Sequence, residues 1–280
     1  MDLSQSYRQR GYHVFRNALP VEAVDALANL VHSHIRHQQE PLLRHDGSFS
    51  AHTYVDGTSL IRNSLMDSHL PFKDVMRPVE TALASLITSP ALAKHLRQLD
   101  GAAHYTIHQT IFFFIAQATD LHFDGWGFDT SIRGHAHTLW IPLQDMDHRS
   151  GLPSVIPWEQ GKVLSAADLG VSFENGPEGR YERYHDAFIA RVMRDSPELT
   201  TCMLRKGDFM VWSSTTPHLS LPARSWPSER MSLQVLLRPS HLAWGNFFNQ
   251  PTEIWHARYM KPSSEFSYLV KPEYEGRLYA

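Results

Sequence analysis

A single cysteine, Cys202, in 280 residues leaves no partner for an internal disulfide and fits a reducing compartment. Long hydrophobic runs are missing too. No apolar stretch approaches the roughly 20 residues needed to span a bilayer, so no membrane span is expected. The opening residues, Met1-Asp2-Leu3-Ser4-Gln5-Ser6, lack the charged-then-apolar order of a secretory signal, and a cytoplasmic location is the expectation. Charge of one sign is not in excess. Lys and Arg number 26 against 29 Asp and Glu, a net −3 with both signs interspersed, which argues against nucleic acid or an anionic surface as partner. There is no glycine-rich phosphate loop of the expected spacing and no serine-centred nucleophile elbow. Internal repeats and low-complexity tracts are absent as well.

What is present is an ordinary globular composition, 42% hydrophobic and 20% charged, long enough for one large core. After a short extended piece, Tyr12-His13-Val14-Phe15, the apolar residues Val21, Val24, Leu27, Leu30, Val31 and Ile35 recur at helical spacing and predict a helix over 21–37. Residues 40–66 are polar and carry the turn signals Asp46-Gly47 and Asp56-Gly57, which suits a loop over a binding site. Helices are predicted again over 72–87 and 90–98, the second entered through Ser89-Pro90. From Ala103 the pattern changes to strands, over 105–114, 137–143, 199–204, 209–212 and 230–237. Residues 159–200, with a helix over 184–194, read as an insertion between strands, and 241–280 as a C-terminal wrap. The expectation is one domain over 1–280. It is mainly β, with helical support in 1–100 and a jelly-roll or barrel-like core in 101–240.

Eighteen histidines make residue type a poor guide, so spacing has to select. In Leu121-His122-Phe123-Asp124 an imidazole and a carboxylate stand two residues apart; in extended backbone both project from one face. A second imidazole, His218, follows the apolar run Phe209-Met210-Val211-Trp212. Two histidines and one carboxylate, with the third member distant in sequence, form the facial triad of non-haem Fe(II) oxygenases. Such a triad leaves open positions on the metal for a bidentate 2-oxo acid and dioxygen. The distal carboxylate of that acid needs a fixed cation, and a guanidinium suits bidentate recognition. Arg230 begins the strand after His218, and Ser232, on the same face, can add a hydroxyl. The plainer alternative for His122 and Asp124 is a polar pair at a strand end.

The order of His108-Gln109, His122-x-Asp124, Ser150-Gly151-Leu152 through Val155-Ile156-Pro157, Lys206-Gly207-Asp208, His218 and Arg230-x-Ser232 resembles the phytanoyl-CoA dioxygenase family over residues 8–240. The resemblance implies a double-stranded β-helix (jelly-roll, cupin-like) core and an oxygenase using Fe(II), 2-oxoglutarate and O2. It implies His122, Asp124 and His218 as metal ligands and catalytic residues, and Arg230, Ser232, Gln109 and Ser220 as 2-oxoglutarate contacts. Thr138 and Trp140 lie on the strand that commonly lines the cosubstrate pocket. Relatives that halogenate carry a small residue in place of the carboxylate, so Asp124 favours hydroxylation, with desaturation, epoxidation and cyclisation open. The segment Pro157-Trp158-Glu159-Gln160 departs from the Pro-Gly-Ser-His usual in relatives, which puts the local turn in question.

For a small-molecule substrate the candidate contacts are Trp126, Asp129, His137 and Arg62. His135-x-His137 also offers two imidazoles on one strand face and is the competing zinc motif. From other classes, a cupin-like binding protein or a metal-dependent hydrolase or isomerase would use the same barrel without turning over 2-oxoglutarate.

Overall fold

The computed structural model describes residues 2–172, 180–195, 198–225, 227–245, 258–274 and 277–278. From the N-terminus come α1 (Leu3–Arg10), β1 (Tyr12–Phe15) and α2 (Val21–Ser33). Three short strands follow, β2 (Leu42–Leu43), β3 (Phe49–Ser50) and β4 (Leu65–Met66), then α3 (Arg77–Ile87) and α4 (Pro90–Asp100). The strands after them are β5 (Tyr105–Ile115), β6 (Thr119–His122), β7 (Asp129–Thr130), β8 (His137–Pro142), β9 (Pro153–Val155), β10 (Thr200–Thr201), β11 (Phe209–Ser213), β12 (His218–Ser220) and β13 (Glu229–Pro239). Helix α5 (Arg180–Asp195) separates β9 from β10, and β14 (Trp244–Gly245), β15 (Arg258–Met260) and β16 (Phe266–Val270) come last.

Two sheets carry the site. The larger runs in the order β1-β11-β8-β13-β5-β16-β15, with β4 added on β5; the smaller runs β10-β9-β12-β6. Alternation along each strand of the large sheet divides its side chains. On β13, Met231, Leu233, Val235 and Leu237 join the main apolar core with Leu139 and Ile141 of β8 and Phe209 and Val211 of β11. That face is covered by helices whose buried residues repeat every three or four positions: Val24, Leu27, Ala28 and Val31 on α2, Val79, Leu83 and Leu86 on α3. The other face belongs to the cavity. On β5 the alternation reverses at His108, where the ladder steps from Leu236↔Gln109 to Leu237↔Ile107, two residues of β5 opposite one of β13. This bulge sends Ile107 into the helical core and turns Gln109, Ile111 and Phe113 toward the cavity.

Sequence and structure differ in instructive places. Helix α1 has only Tyr7 buried and so shows no apolar stripe to predict it. The 21–37 helix ends at Ser33 and gives way to a 3-10 turn over Ile35–His37; the 72–87 helix begins at Arg77 after the turn Asp74–Met76. The 90–98 helix extends to Asp100, started by the Ser89 hydroxyl accepting from Leu92 N at 3.2 Å and stopped at Gly101. The C-terminal segment does more than wrap the core. Strand β16 pairs parallel to β5, Phe266 opposite Tyr105, and so widens the large sheet. Phe247, Phe248 and Trp255 of the expected wrap, and the loop Glu174 to Gly179, lie outside the described residues. Among the described residues no helix is long and apolar enough to cross a membrane.

Candidate metal centre and cosubstrate pocket

His122 closes β6 and His218 opens β12, and the two strands pair with these residues directly opposite. Their rings are 4.3 Å apart between centroids. Phe123, between His122 and Asp124, is extended (φ −134°, ψ 147°). Its ring therefore turns away, against Phe188 of α5 at 4.7 Å, while His122 and Asp124 share the opposite side. One ligand atom from each of His122, Asp124 and His218 lies within 4.8 Å of the others, the one cluster of its kind among the described residues.

Hydrogen bonds fix which atoms are left for a metal. The carbonyl of Asp120 accepts from His122 Nδ1 at 2.7 Å, and that of Thr216 accepts from His218 Nδ1 at 3.0 Å. A carbonyl can only accept, so each Nδ1 carries the proton and each Nε2 presents a lone pair. Asp124 Oδ2 accepts from Thr138 Oγ1 at 2.6 Å and from Trp212 Nε1 at 2.9 Å. Oδ1 remains, 3.6 Å from His218 Nε2. Burial alone would raise the Asp124 carboxyl, but the two imidazoles and these two donors outweigh it and hold it below its ordinary value. Burial pushes His218 down to about 4, against the pull of Asp124, so the ring is neutral at pH 7 and able to bind a cation. Two imidazoles and one carboxylate, with one free atom each, are a donor set that would hold Fe(II) and leave it open to other ligands.

A cavity of about 510 Å³ opens beside these atoms. Arg230 lines it, 3% exposed. Its Nη1 donates to Gly151 O and to Ser220 Oγ, the latter at 2.6 Å, and its guanidinium stands 5.9 Å over the Trp140 ring. Nε has no partner, and neither does the buried hydroxyl of Ser232, two residues on along the same face. Among the described residues no carboxylate pairs with this guanidinium, whose pKa burial lowers to about 10. A buried cation with unused donors is a receptor for an anion. The distal carboxylate of 2-oxoglutarate fits it.

Gln109 and Trp140 also line the cavity; Gln109 Nε2 reaches Met66 Sδ at 2.7 Å. Thr138 is buried behind the wall and acts on Asp124. None of the four residues expected at the substrate lines this cavity. Asp129 is buried and accepts from Ser214 Oγ at 2.8 Å and Gly134 N at 3.0 Å, organising the loop after the metal turn. His137 donates to Asp100 at 2.8 Å and meets Tyr7 OH at 2.9 Å, so the His135-x-His137 zinc motif has lost one nitrogen pair to a buried network. Trp126 packs on Tyr184 of α5 at 5.3 Å, and Arg62 is exposed on its loop. The departing segment 157–160 clips α1 in place: Trp158 N and Gln160 N donate to Arg10 O and Arg8 O at 2.9 and 2.8 Å. Trp212 and Gln234 are among the cavity residues that the sequence pattern does not single out. Trp212 was visible only as part of an apolar strand, and Gln234 only as a polar break in one; their roles depend on cross-strand register, Trp212 opposite Thr138 and Gln234 opposite Trp140.

The fold has solved counterparts. The non-haem α-ketoglutarate-dependent carbocyclase SnoK from nogalamycin biosynthesis superposes with a TM-score of 0.60 at 16% identity, covering 87% of this chain and 85% of that one. The epimerase SnoN of the same biosynthesis gives 0.56 at 19%, over 86% and 81%. EctD from S. alaskensis, with bound Fe, gives 0.58 at 16%, over 87% and 78%. No curated protein matches the chain. The family model for phytanoyl-CoA dioxygenase (PhyH) matches residues 7–231. The chain belongs to the phytanoyl-CoA dioxygenase family, and is a non-haem oxygenase that uses Fe(II), 2-oxoglutarate and O2.

Proposed function

We propose that this enzyme hydroxylates an unactivated C–H of a small or medium organic molecule, with His122, Asp124 and His218 holding the iron and Arg230 the distal carboxylate of 2-oxoglutarate. The observation that carries this reading is the carboxylate at 124, tied by Thr138 and Trp212 through one oxygen and free through the other, beside a cavity large enough for two small molecules. Bound there, iron with 2-oxoglutarate and dioxygen supplies the oxidising power to insert oxygen into a C–H bond, leaving succinate and carbon dioxide. The chain's own part is positional. The two Nδ1–H···O=C bonds hold the imidazole planes, and the two donors on Asp124 hold its carboxylate, so that few groups reorganise during reaction. Arg230, with Ser232 and Ser220 beside it, orients the keto acid from its far end, and the apolar wall around Phe113 and Leu236 excludes water.

A second outcome has a specific observation behind it: SnoK is a carbocyclase and SnoN an epimerase, so the same cofactors serve ring closure or stereochemical inversion on this fold. The test is anaerobic loading with Fe(II) and 2-oxoglutarate, admission of air, and quantitation of succinate. Iron-dependent succinate that a metabolite library stimulates, with a product heavier by one oxygen atom, supports hydroxylation. A product lighter by two hydrogens or of unchanged mass turns the assignment to the second outcome, and no succinate under any condition removes both.

A further inference from the structure

The cavity wall away from the metal states what kind of molecule it receives. Apart from the three metal ligands and Arg230, none of its described residues is Lys, Arg, Asp or Glu, and the His45 imidazole stands exposed at the mouth. Ile111, Phe113, Phe128 and Leu236 supply its apolar part, and the uncharged Ser64, Gln109, Gln117 and Thr119 line it as well. In its middle, on β13, sits Gln234, half-buried, opposite Ile111 on one neighbouring strand and Trp140 on the other. Among the described residues its side-chain amide makes no hydrogen bond, so two N–H donors and a carbonyl face the cavity unused. An ion placed against this wall would lose its hydration and gain no counter-charge. A neutral molecule with one polar group has no such penalty.

We propose that the substrate is an uncharged molecule with an apolar body and one hydroxyl, carbonyl or amide group received by the Gln234 side chain. The proposal runs against an acyl-CoA thioester, whose phosphates would meet no ammonium or guanidinium on the described wall except Arg230, which donates to Gly151 and Ser220. Gln234 is a specificity-determining residue in this account. The inference rests on the cosubstrate reading above, and the experiment separates the two.

The protein is loaded with Ni(II), which does not turn over, and titrated with 2-oxoglutarate by calorimetry; failure of this step counts against the cosubstrate site itself. The loaded protein is then probed by saturation-transfer NMR with cyclohexanol, cyclohexanecarboxamide, cyclohexanecarboxylate and cyclohexylammonium, and with octanoyl-CoA. The neutral probes bind roughly tenfold or more tightly than either ion, and Gln234→Leu weakens the carboxamide roughly fivefold, the scale of one net hydrogen bond, with 2-oxoglutarate affinity unchanged. The proposal is overturned if an ion or octanoyl-CoA binds as tightly as the carboxamide. It is equally overturned if no neutral probe binds at millimolar concentration, or if Gln234→Leu changes nothing.

Discussion

Asp124 is useful to a metal only because its second oxygen is occupied. Without the Thr138 hydroxyl and the Trp212 indole it could swing or bind through both oxygens and fill a position that the keto acid needs. Thr138→Val and Trp212→Phe are each expected to lower Ni(II) affinity about tenfold or more, the range for such supporting partners, measured by calorimetry. In an Asp124→Ala background the same substitutions should change nothing, which separates positioning from general damage. Arg230→Lys keeps the charge and loses the fork; the KM for 2-oxoglutarate is expected to rise about tenfold to a hundredfold with a smaller fall in kcat. Sequence alone picked out His122, Asp124, His218 and Arg230 because their chemistry has characteristic spacings, and the structure brings the first three within 4.8 Å. Trp212 and Gln234 have no such signature. An indole on an apolar strand and an amide between leucine and valine look like packing and exposure until the register of β8 with its two neighbours is known.

At the level of elements, the site is held where the small sheet meets α1. Gly11 ends α1 with φ 70°, and a Cβ there would run into the Trp158 carbonyl and the Thr216 hydroxyl. Thr216 also supplies the carbonyl that orients His218. Gly11→Ala is thus expected to cost about 2 kcal/mol or more in stability, a fall in Tm of about 3 °C or more by calorimetric scan, and to weaken metal binding as well. A residue tolerated there without loss would separate α1 from the metal site. Helices α2, α3 and α4 were legible because one face of each buries apolar residues at regular spacing. Helix α1 was not, since its sequence LSQSYRQR offers Tyr7 alone, and its position is set by tertiary bonds to Trp158 and Gln160. The bulge at His108 was equally hidden, because a reversal of alternation is a property of the ladder and not of one strand.

The whole molecule is a helical layer on one face of a large sheet, with the cavity on the other, and that arrangement has a pH dependence. His69 is fully buried, bonded through Nδ1 to Thr110 Oγ1 at 3.0 Å, and burial lowers it to about 4 despite the nearby Asp67. Unfolded, it titrates near 6.5, so between these values the unfolded chain binds the extra proton. The stability is full above about pH 6.5 and is lost as the pH falls toward 4, by about 3 kcal/mol at most from this residue. Denaturant midpoints at pH 7 and pH 5 should show the loss, and His69→Gln should flatten it; an unchanged midpoint in the wild type contradicts the assignment. The order of helices followed by strands was enough to read a β-core with helical support. The parallel docking of β16 on β5 and the antiparallel docking of β1 on β11 join segments about 160 and 200 residues apart, which no local pattern encodes.

The most direct test is a crystal grown anaerobically with Fe(II) and 2-oxoglutarate and measured at the iron absorption edge. The account predicts one anomalous peak bonded to His122 Nε2, Asp124 Oδ1 and His218 Nε2, with keto-acid density running from it to the Arg230 guanidinium. Iron bound elsewhere, or a carboxylate that ends away from Arg230, would contradict it.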